Sequence, residues 1–451
     1  MAAINPPAGT AGEEPPRWTA AGAVDHLTRF ETPATSYYLL LGATTLLVTI
    51  GLVMVLSSSS VESIAADRSA YAVFARQAVF AVIGVPLMWL ASRLPVAAWK
   101  ALAWPVLGLA VTGQLLVFTP FGESVRGNTN WIEIASVRAQ PSEAAKLALV
   151  VWCAAVLARK QPLLDRWAHV LVPVGPFAGL VVGLVLAGHD LGTGLVLMAI
   201  VVGALFVAGV PGRMFATAAV AAAGLAVLLV MSSQNRMNRI STWLGGTCED
   251  FHGACWQTTH GKWALASGGW WGLGLGASKE KWSWLPEAHN DFIYAIIGEE
   301  LGLPGTVVVV LLFVALGIGC ARVVRRHDDV FVKIATAGVM AWVLGQAMIN
   351  IAVVLGLLPV IGLPLPLVSS GGSALISTMV ALGMVLSFAR AEPGARDALS
   401  ARAGVVRASL PVVPLRPAWP ARGGTSTSTS TDAGGAATTR TARRRRARSP
   451  R

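Results

Sequence analysis

"LPEAHNDFIYAIIGEELG", residues 285–302, sets five ionisable side chains, Glu287, His289, Asp291, Glu299 and Glu300, against an apolar run that continues to about residue 320. A run of that length and apolarity reads as a membrane-spanning helix. Asp291 stands just before "FIYAII", where it reads as the N-cap, helped by the positive helix end. Glu299 and Glu300 come more than two turns later, roughly 12 Å deeper at 1.5 Å per residue and beyond the reach of capping. Carboxylates inside a span face a polar cavity or a basic partner such as Lys146, and mark a functional site by default.

Outward from this stretch the same pattern repeats. The chain has 451 residues, is 54% hydrophobic and only 13% charged, which reads as an all-α polytopic membrane protein rather than a soluble domain. Twenty-residue windows predict about ten spans, near 37–57, 72–91, 97–118, 141–158, 168–188, 193–210, 214–233, 292–320, 334–357 and 374–391. The first 36 residues are Pro-rich and of mixed charge and do not read as a signal peptide, so the first apolar run is expected to remain as a span.

The formal charge of +12 first suggests a nucleic-acid surface, but residues 394–451 hold twelve Arg against two Asp, which accounts for +10 of it. That tail, with "TSTSTSTD" and "RRRR", has too few large apolar residues to fold alone. It reads as a cytoplasmic tail touching anionic lipid or a partner, not as a nucleic-acid binder. The domain plan is a disordered tail over 1–36, a membrane domain over 37–392 and a disordered basic tail over 393–451.

Lys and Arg in the short connections fix the expected orientation. Arg93, Lys100, Arg159, Lys160, Arg166, Arg213, Arg322, Arg325 and Arg326 share one side with both tails, which makes that side cytoplasmic. Every unusual polar motif then falls on the opposite face, including a large loop between the seventh and eighth spans.

In "RGNTNWIEIASVRAQPSEAAK", residues 126–146, Pro141, Ser142 and Glu143 read as a helix start with Ser142 as N-cap. Lys146, one turn inside, either snorkels toward the helix end or lines a polar pocket. In "GHDLGTG", residues 188–194, Asp190 caps the next helix or adds polarity to an outer cavity. The outer segment 234–291 carries Arg236, Arg239, Lys262, "SGGWWGLGLG" and Lys281. Its glycines lack the preceding strand and GKS or GKT ending of a P-loop, and beside Trp270 and Trp271 they suit a re-entrant or interfacial segment. Cys248 and Cys255 bracket "CEDFHGAC". A metal reading with His252 lacks a fourth ligand, so a disulfide is favoured if the loop faces an oxidising compartment. Finally, Pro359, Pro364 and Pro366 precede Ser369, Ser370, Gly371, Gly372 and Ser373, an irregular segment that, with Gln346 and Asn350, can wall a polar site.

"RGNTNWI", "QPSEAAK", "HDLGTG", "LPEAHNDFIYAIIGEELG" and "GLPLPLVSSGGSAL", in that order, strongly resemble the SEDS family (shape, elongation, division and sporulation; FtsW, RodA and SpoVE) over roughly residues 37–392. The long extensions and the "PEAHNDFI" wording look more like its FtsW branch, in actinobacterial form, than its RodA branch. Three positions depart from the family pattern: His189 where Pro is usual, Asn290 where Thr or Ser is common, and Ser370 where Tyr is common.

The resemblance implies a multi-pass enzyme of the cytoplasmic membrane, placed at the division septum. It implies a peptidoglycan glycosyltransferase that polymerises lipid II on the extracytoplasmic face and releases undecaprenyl diphosphate. Its expected partners are a class B penicillin-binding protein (FtsI-like) and other division proteins. Asp291 matches the family's essential Asp. An α-linked diphosphate donor and a β-1,4 product require one inverting displacement, for which Asp291 is the expected base. Positive charge at the leaving diphosphate is expected from Lys146 and Arg126, with Arg239, Lys281 or a divalent cation (Mg or Mn) as alternatives. Glu143, Glu299, Gln346, Ser369 and Ser373 complete the expected substrate-binding set, and no organic cofactor is expected. The rival readings are a lipid II flippase, a RodA-like elongation polymerase and a division scaffold.

Overall fold

The computed structural model describes residues 34–125, 128–134, 137–232, 234–245 and 254–401. These fall within one unit, Met1–Ala403, and the second, Gly404–Arg451, lies outside them. Eight helices are long and apolar enough to cross a membrane: α1 (Thr35–Ala65), α2 (Ala72–Arg93), α3 (Val96–Leu116), α4 (Pro141–Lys160), α5 (Trp167–Ala187), α10 (Ile293–Arg326), α11 (Val330–Val354) and α12 (Gly372–Ala391). Two shorter apolar helices, α6 (Leu191–Val207) and α7 (Gly212–Met231), lie between α5 and the outer segment. The α4, α12 and α11 windows are 72%, 67% and 56% buried against 22% for α2 and α3, so the first three form the centre and the others the rim.

Close approach is built from small residues. A Cβ on Gly84 of α2 would stand 2.6 Å from the Met379 sulfur of α12, and one on Gly383 would stand 2.5 Å from the Met88 carbonyl. Small residues at helix interfaces let backbones meet where lipid provides no hydrophobic drive. At the other end of the chain path Ser36 donates to Glu392 at 3.2 Å, tying the start of α1 to the end of α12.

The structure corrects several expectations. The segment 119–140 contains an antiparallel three-stranded sheet, β1 (Gly122–Val125), β2 (Asn128–Ile134) and β3 (Val137–Ala139), which the all-α expectation did not include. The outer segment contains helices α8 (Gln234–Trp243) and α9 (Ala254–Gly268). Residues 395–401 of the expected disordered tail are helical. Ser142 is not an N-cap: Pro141 takes the first helical position with Gln140 before it, so Ser142 already lies inside the helix. Asp291 is not one either, because Phe292 occupies that position and makes no side-chain cap bond.

The 34-residue α10 is broken at Gly302, whose φ of 65° and ψ of −160° are not helical. The Gly-rich loop after α9 fills that break. Leu273 and Gly274 donate their N–H groups to the Glu299 and Glu300 carbonyls at 2.9 and 3.0 Å, and Leu303 donates to Gly269 at 3.2 Å. A Cβ on Gly272 would stand 2.3 Å from the Glu300 carbonyl oxygen, so only glycine permits this approach. Broken backbone at membrane depth is tolerable because protein groups satisfy it. Trp270 and Trp271 point outward from this loop, 74% and 85% exposed, as expected of interfacial indoles.

Candidate active site

Asp291 sits at the end of a turn built on Glu287, whose φ is +58° and whose carbonyl accepts from Asn290 and Phe292 at 3.0 and 3.2 Å. Its neighbours are held by their backbones. The carbonyls of His289, Asn290 and Asp291 accept, in order, from Ser370 N at 3.0 Å, Ser369 Oγ at 2.7 Å and Asn350 Nδ2 at 2.8 Å. Ser369 Oγ also accepts from Leu365 N at 2.7 Å, and Asn350 Nδ2 donates to the Leu363 carbonyl at 2.7 Å. The 363–370 segment, α11 and the Asp291 turn are therefore one hydrogen-bonded body. The half-buried Asp291 carboxylate lies over Gly362, where an added Cβ would stand 3.5 Å from Oδ2.

His289 pairs with Glu62, at the far end of α1, at 3.0 Å. Burial alone would lower its pKa, but the Glu62 hydrogen bond and the charges of Glu62, Glu287 and Asp291 hold it above the ordinary imidazole value.

The expected cations have other partners. Lys146 is 1% exposed and donates to Glu143 at 2.8 Å and to Gln346 Oε1 at 3.1 Å, with its ammonium 4.9 Å from the Trp342 ring centroid. Gln346 in turn donates to the Pro364 carbonyl at 2.8 Å. The Lys146 group thus braces α4 and α11 against the segment that holds Asp291. Lys281 is bound to Glu300 at 3.0 Å, Ser57 Oγ at 3.2 Å and the Gly276 carbonyl at 2.7 Å. Glu300 also accepts from Ser57 at 2.6 Å, and Glu299 accepts from Ser278 Oγ at 2.5 Å and Lys279 N at 2.8 Å. The two intramembrane carboxylates accordingly pin the 276–281 loop over the α10 break, and neither is paired with Lys146. Ser373 is half-buried in the first turn of α12.

Arg126 and Cys248 lie outside the described residues, as do the side chains of Arg239 and Cys255. Asp190 does cap α6, accepting from Thr193 N at 2.9 Å, and it also gathers Thr193 Oγ1, Asn130 and Gln140 at 2.8, 3.0 and 3.0 Å. His189 beside it has φ +66°, a conformation closed to proline. Three contributors escaped the sequence reading. Gln77 and Ser57 are polar positions in or beside apolar runs, a usable signal, whereas nothing in the sequence around Glu62 connects it to His289.

A largely apolar cavity of about 360 Å³ is lined by Leu265, Tyr294, Gly298, Leu303, Val307 and Val310 among others, with Tyr294 three residues after Asp291 in the chain. Among the described residues no three His, Cys, Asp or Glu side chains converge to hold a metal ion.

The family model of cell cycle proteins FtsW/RodA/SpoVE matches residues 37–393. The chain is 38% identical over 370 residues to the probable peptidoglycan glycosyltransferase FtsW of Mycobacterium tuberculosis, covering 82% of this chain and 70% of that one. It is also 38% identical over 357 residues to the protein of the same name from Burkholderia thailandensis, covering 77% of each. Among solved structures it resembles a chain from a study of structural coordination of polymerization and crosslinking by a peptidoglycan synthase complex, with TM-score 0.64 and 26% identity over 78% of this chain and 97% of that one. The rod shape determining protein RodA of Thermus thermophilus aligns with TM-score 0.59 and 25% identity over 79% and 97%. The chain therefore belongs to the FtsW/RodA/SpoVE family, the SEDS family that its motifs resemble.

Proposed function

We propose that this chain is a peptidoglycan glycosyltransferase of the FtsW type, a multi-pass membrane enzyme that polymerises lipid II during septal wall synthesis with a class B penicillin-binding protein. The observation that carries the reading is the restraint on Asp291: its own carbonyl and those of the two residues before it are held by side chains and backbone of two other segments. A general base needs that kind of fixed placement.

In the proposed reaction Asp291 takes the proton from the 4-hydroxyl of the acceptor GlcNAc. That oxygen attacks the anomeric carbon of the donor MurNAc, the bond to the diphosphate breaks with inversion, and undecaprenyl diphosphate leaves as an anion. No second carboxylic acid is required for such a leaving group. The apolar cavity beside Tyr294 suits a stretch of prenyl chain. Lys146 and Lys281 act through their buried ion pairs by holding the walls of the site. A divalent cation at the leaving group would be held by the diphosphate and at most one or two carboxylates, the usual arrangement for Mg²⁺.

Purified protein reconstituted with its penicillin-binding partner and labelled lipid II tests the reading. Glycan polymer that disappears in Asp291→Asn supports it; translocation without polymer makes the chain a flippase, and neither activity leaves a scaffold.

A further inference from the structure

Gln77 lies near the start of α2, between Arg76 and a long apolar run, and is 4% exposed. An uncharged amide in such a place is costly unless both of its ends are satisfied. Both ends are used on one short segment of another part of the chain. Its Nε2 donates to the Ser369 carbonyl at 3.3 Å, and its Oε1 accepts from Gly371 N at 3.0 Å. The residue between those two contacts, Ser370, gives its N–H to the His289 carbonyl, and Ser369 gives its hydroxyl to the Asn290 carbonyl. The amide is thus two hydrogen bonds away from the backbone that presents Asp291.

Beside this amide, α2 meets the start of α12 at Gly372, where an added Cβ would stand 2.3 Å from the Phe80 ring. The Gln77 amide ties residues 369–371 to α2, and the polar groups of that segment in turn hold the His289 and Asn290 carbonyls.

We propose that Gln77 is a positioning residue for the reaction, which sets the depth of Asp291 in the site through the Ser369–Gly371 segment. The inference rests on Asp291 being the base. A displacement of about 1 Å at a reacting group can cost about a hundredfold in rate. Loss of the Gln77 contacts therefore lowers kcat and leaves KM for lipid II nearly unchanged, because Gln77 is 4% exposed and both ends of its amide are spent on backbone groups.

The test uses full-length protein with its penicillin-binding partner in lipid, and compares Gln77→Leu, Gln77→Glu and Asp291→Asn. Gln77→Leu is expected to lower kcat by about ten- to a hundredfold at unchanged KM. A glutamic acid that stays protonated has one O–H donor and one carbonyl acceptor, the same pair the amide offers. Gln77→Glu is therefore expected to restore most of the rate at acidic pH and to lose it as pH rises and the carboxylate can no longer donate to Ser369. Wild type, whose titratable groups on the held segments are His289 with Glu62, Glu287 and Asp291, provides the reference profile for subtraction. Wild-type kcat in Gln77→Leu overturns the inference, as does a loss that Gln77→Glu fails to relieve at any pH. If Gln77→Leu does not fold, the pH-dependent rate of Gln77→Glu relative to wild type decides alone. Polymer from Asp291→Asn rejects the base assignment instead, whatever the Gln77 variants do.

Discussion

Asn350 uses one side-chain nitrogen to hold two carbonyls, that of Asp291 at 2.8 Å and that of Leu363 at 2.7 Å, so a single amide on α11 sets the distance between the Asp291 turn and the segment beneath it. Asn350→Ala leaves both carbonyls without that donor, at about 1–3 kcal/mol for each group that water cannot reach. The expected outcome is a lower melting temperature together with a polymerisation rate reduced by more than the melting shift explains. A rate equal to wild type at a temperature where the variant is folded contradicts the clamp.

Lys281 and Glu300 form a deeply buried ion pair, with side chains 4% and 0% exposed. Removing one partner of such a pair strands the other charge, at a cost of about 3–5 kcal/mol. Lys281→Met is expected to be strongly destabilised in a thermal melt in nanodiscs, and Lys281→Met with Glu300→Gln to recover most of the loss. A double variant no better than the single one means that the Lys281 contacts to Ser57 and Gly276, rather than the charge, dominate.

Gly272 combines φ +76° with a Cβ position 2.3 Å from the Glu300 carbonyl. Gly272→Ala incurs about 1–2 kcal/mol from the left-handed backbone alone, and the collision also pushes the Gly-rich loop off the α10 break. Gly269 has φ +51° but open space around its Cβ direction, so Gly269→Ala is expected to lose only the backbone part. Equal losses in the two melts would mean that the close approach is not what matters at Gly272.

The Glu62 and His289 pair makes stability depend on pH with a defined sign. The folded pKa of His289 lies above its ordinary value, so the pair's contribution is complete below the unfolded imidazole pKa and is lost as pH rises through the higher folded one. Wild type should therefore exceed Glu62→Gln in melting temperature at mildly acidic pH, with the gap closing toward alkaline pH. Glu62 is 58% exposed, so salt should shrink the gap as well. A gap that widens with pH reverses the assignment.

Hydropathy made the long helices legible, because a twenty-residue apolar run has few other fates. It also singled out Glu299 and Glu300 as carboxylates inside a span, facing a polar cavity or a basic partner. The partners themselves were beyond it, since Lys281 reaches Glu300 only after the loop folds back onto a helix broken at Gly302, and the Gly and Pro of "GEELGLPG" signal a break without saying what fills it. The sheet over 122–139 was hidden for another reason: its three strands are short, and they lie in a connection between two apolar runs, where hydropathy carries no signal. Asn350 and Gln346 were visible as polar positions in an apolar span, but their role came only with the carbonyls of Asp291 and Pro364 in view.

The four donors gathered by Asp190 come from the β2 strand, the residue before α4 and the first turn of α6. That carboxylate is therefore a knot that joins three stretches of chain, and its substitution is expected to lower the folded fraction, which a biochemical comparison of folded protein checks before any loss of activity is credited to the chemistry.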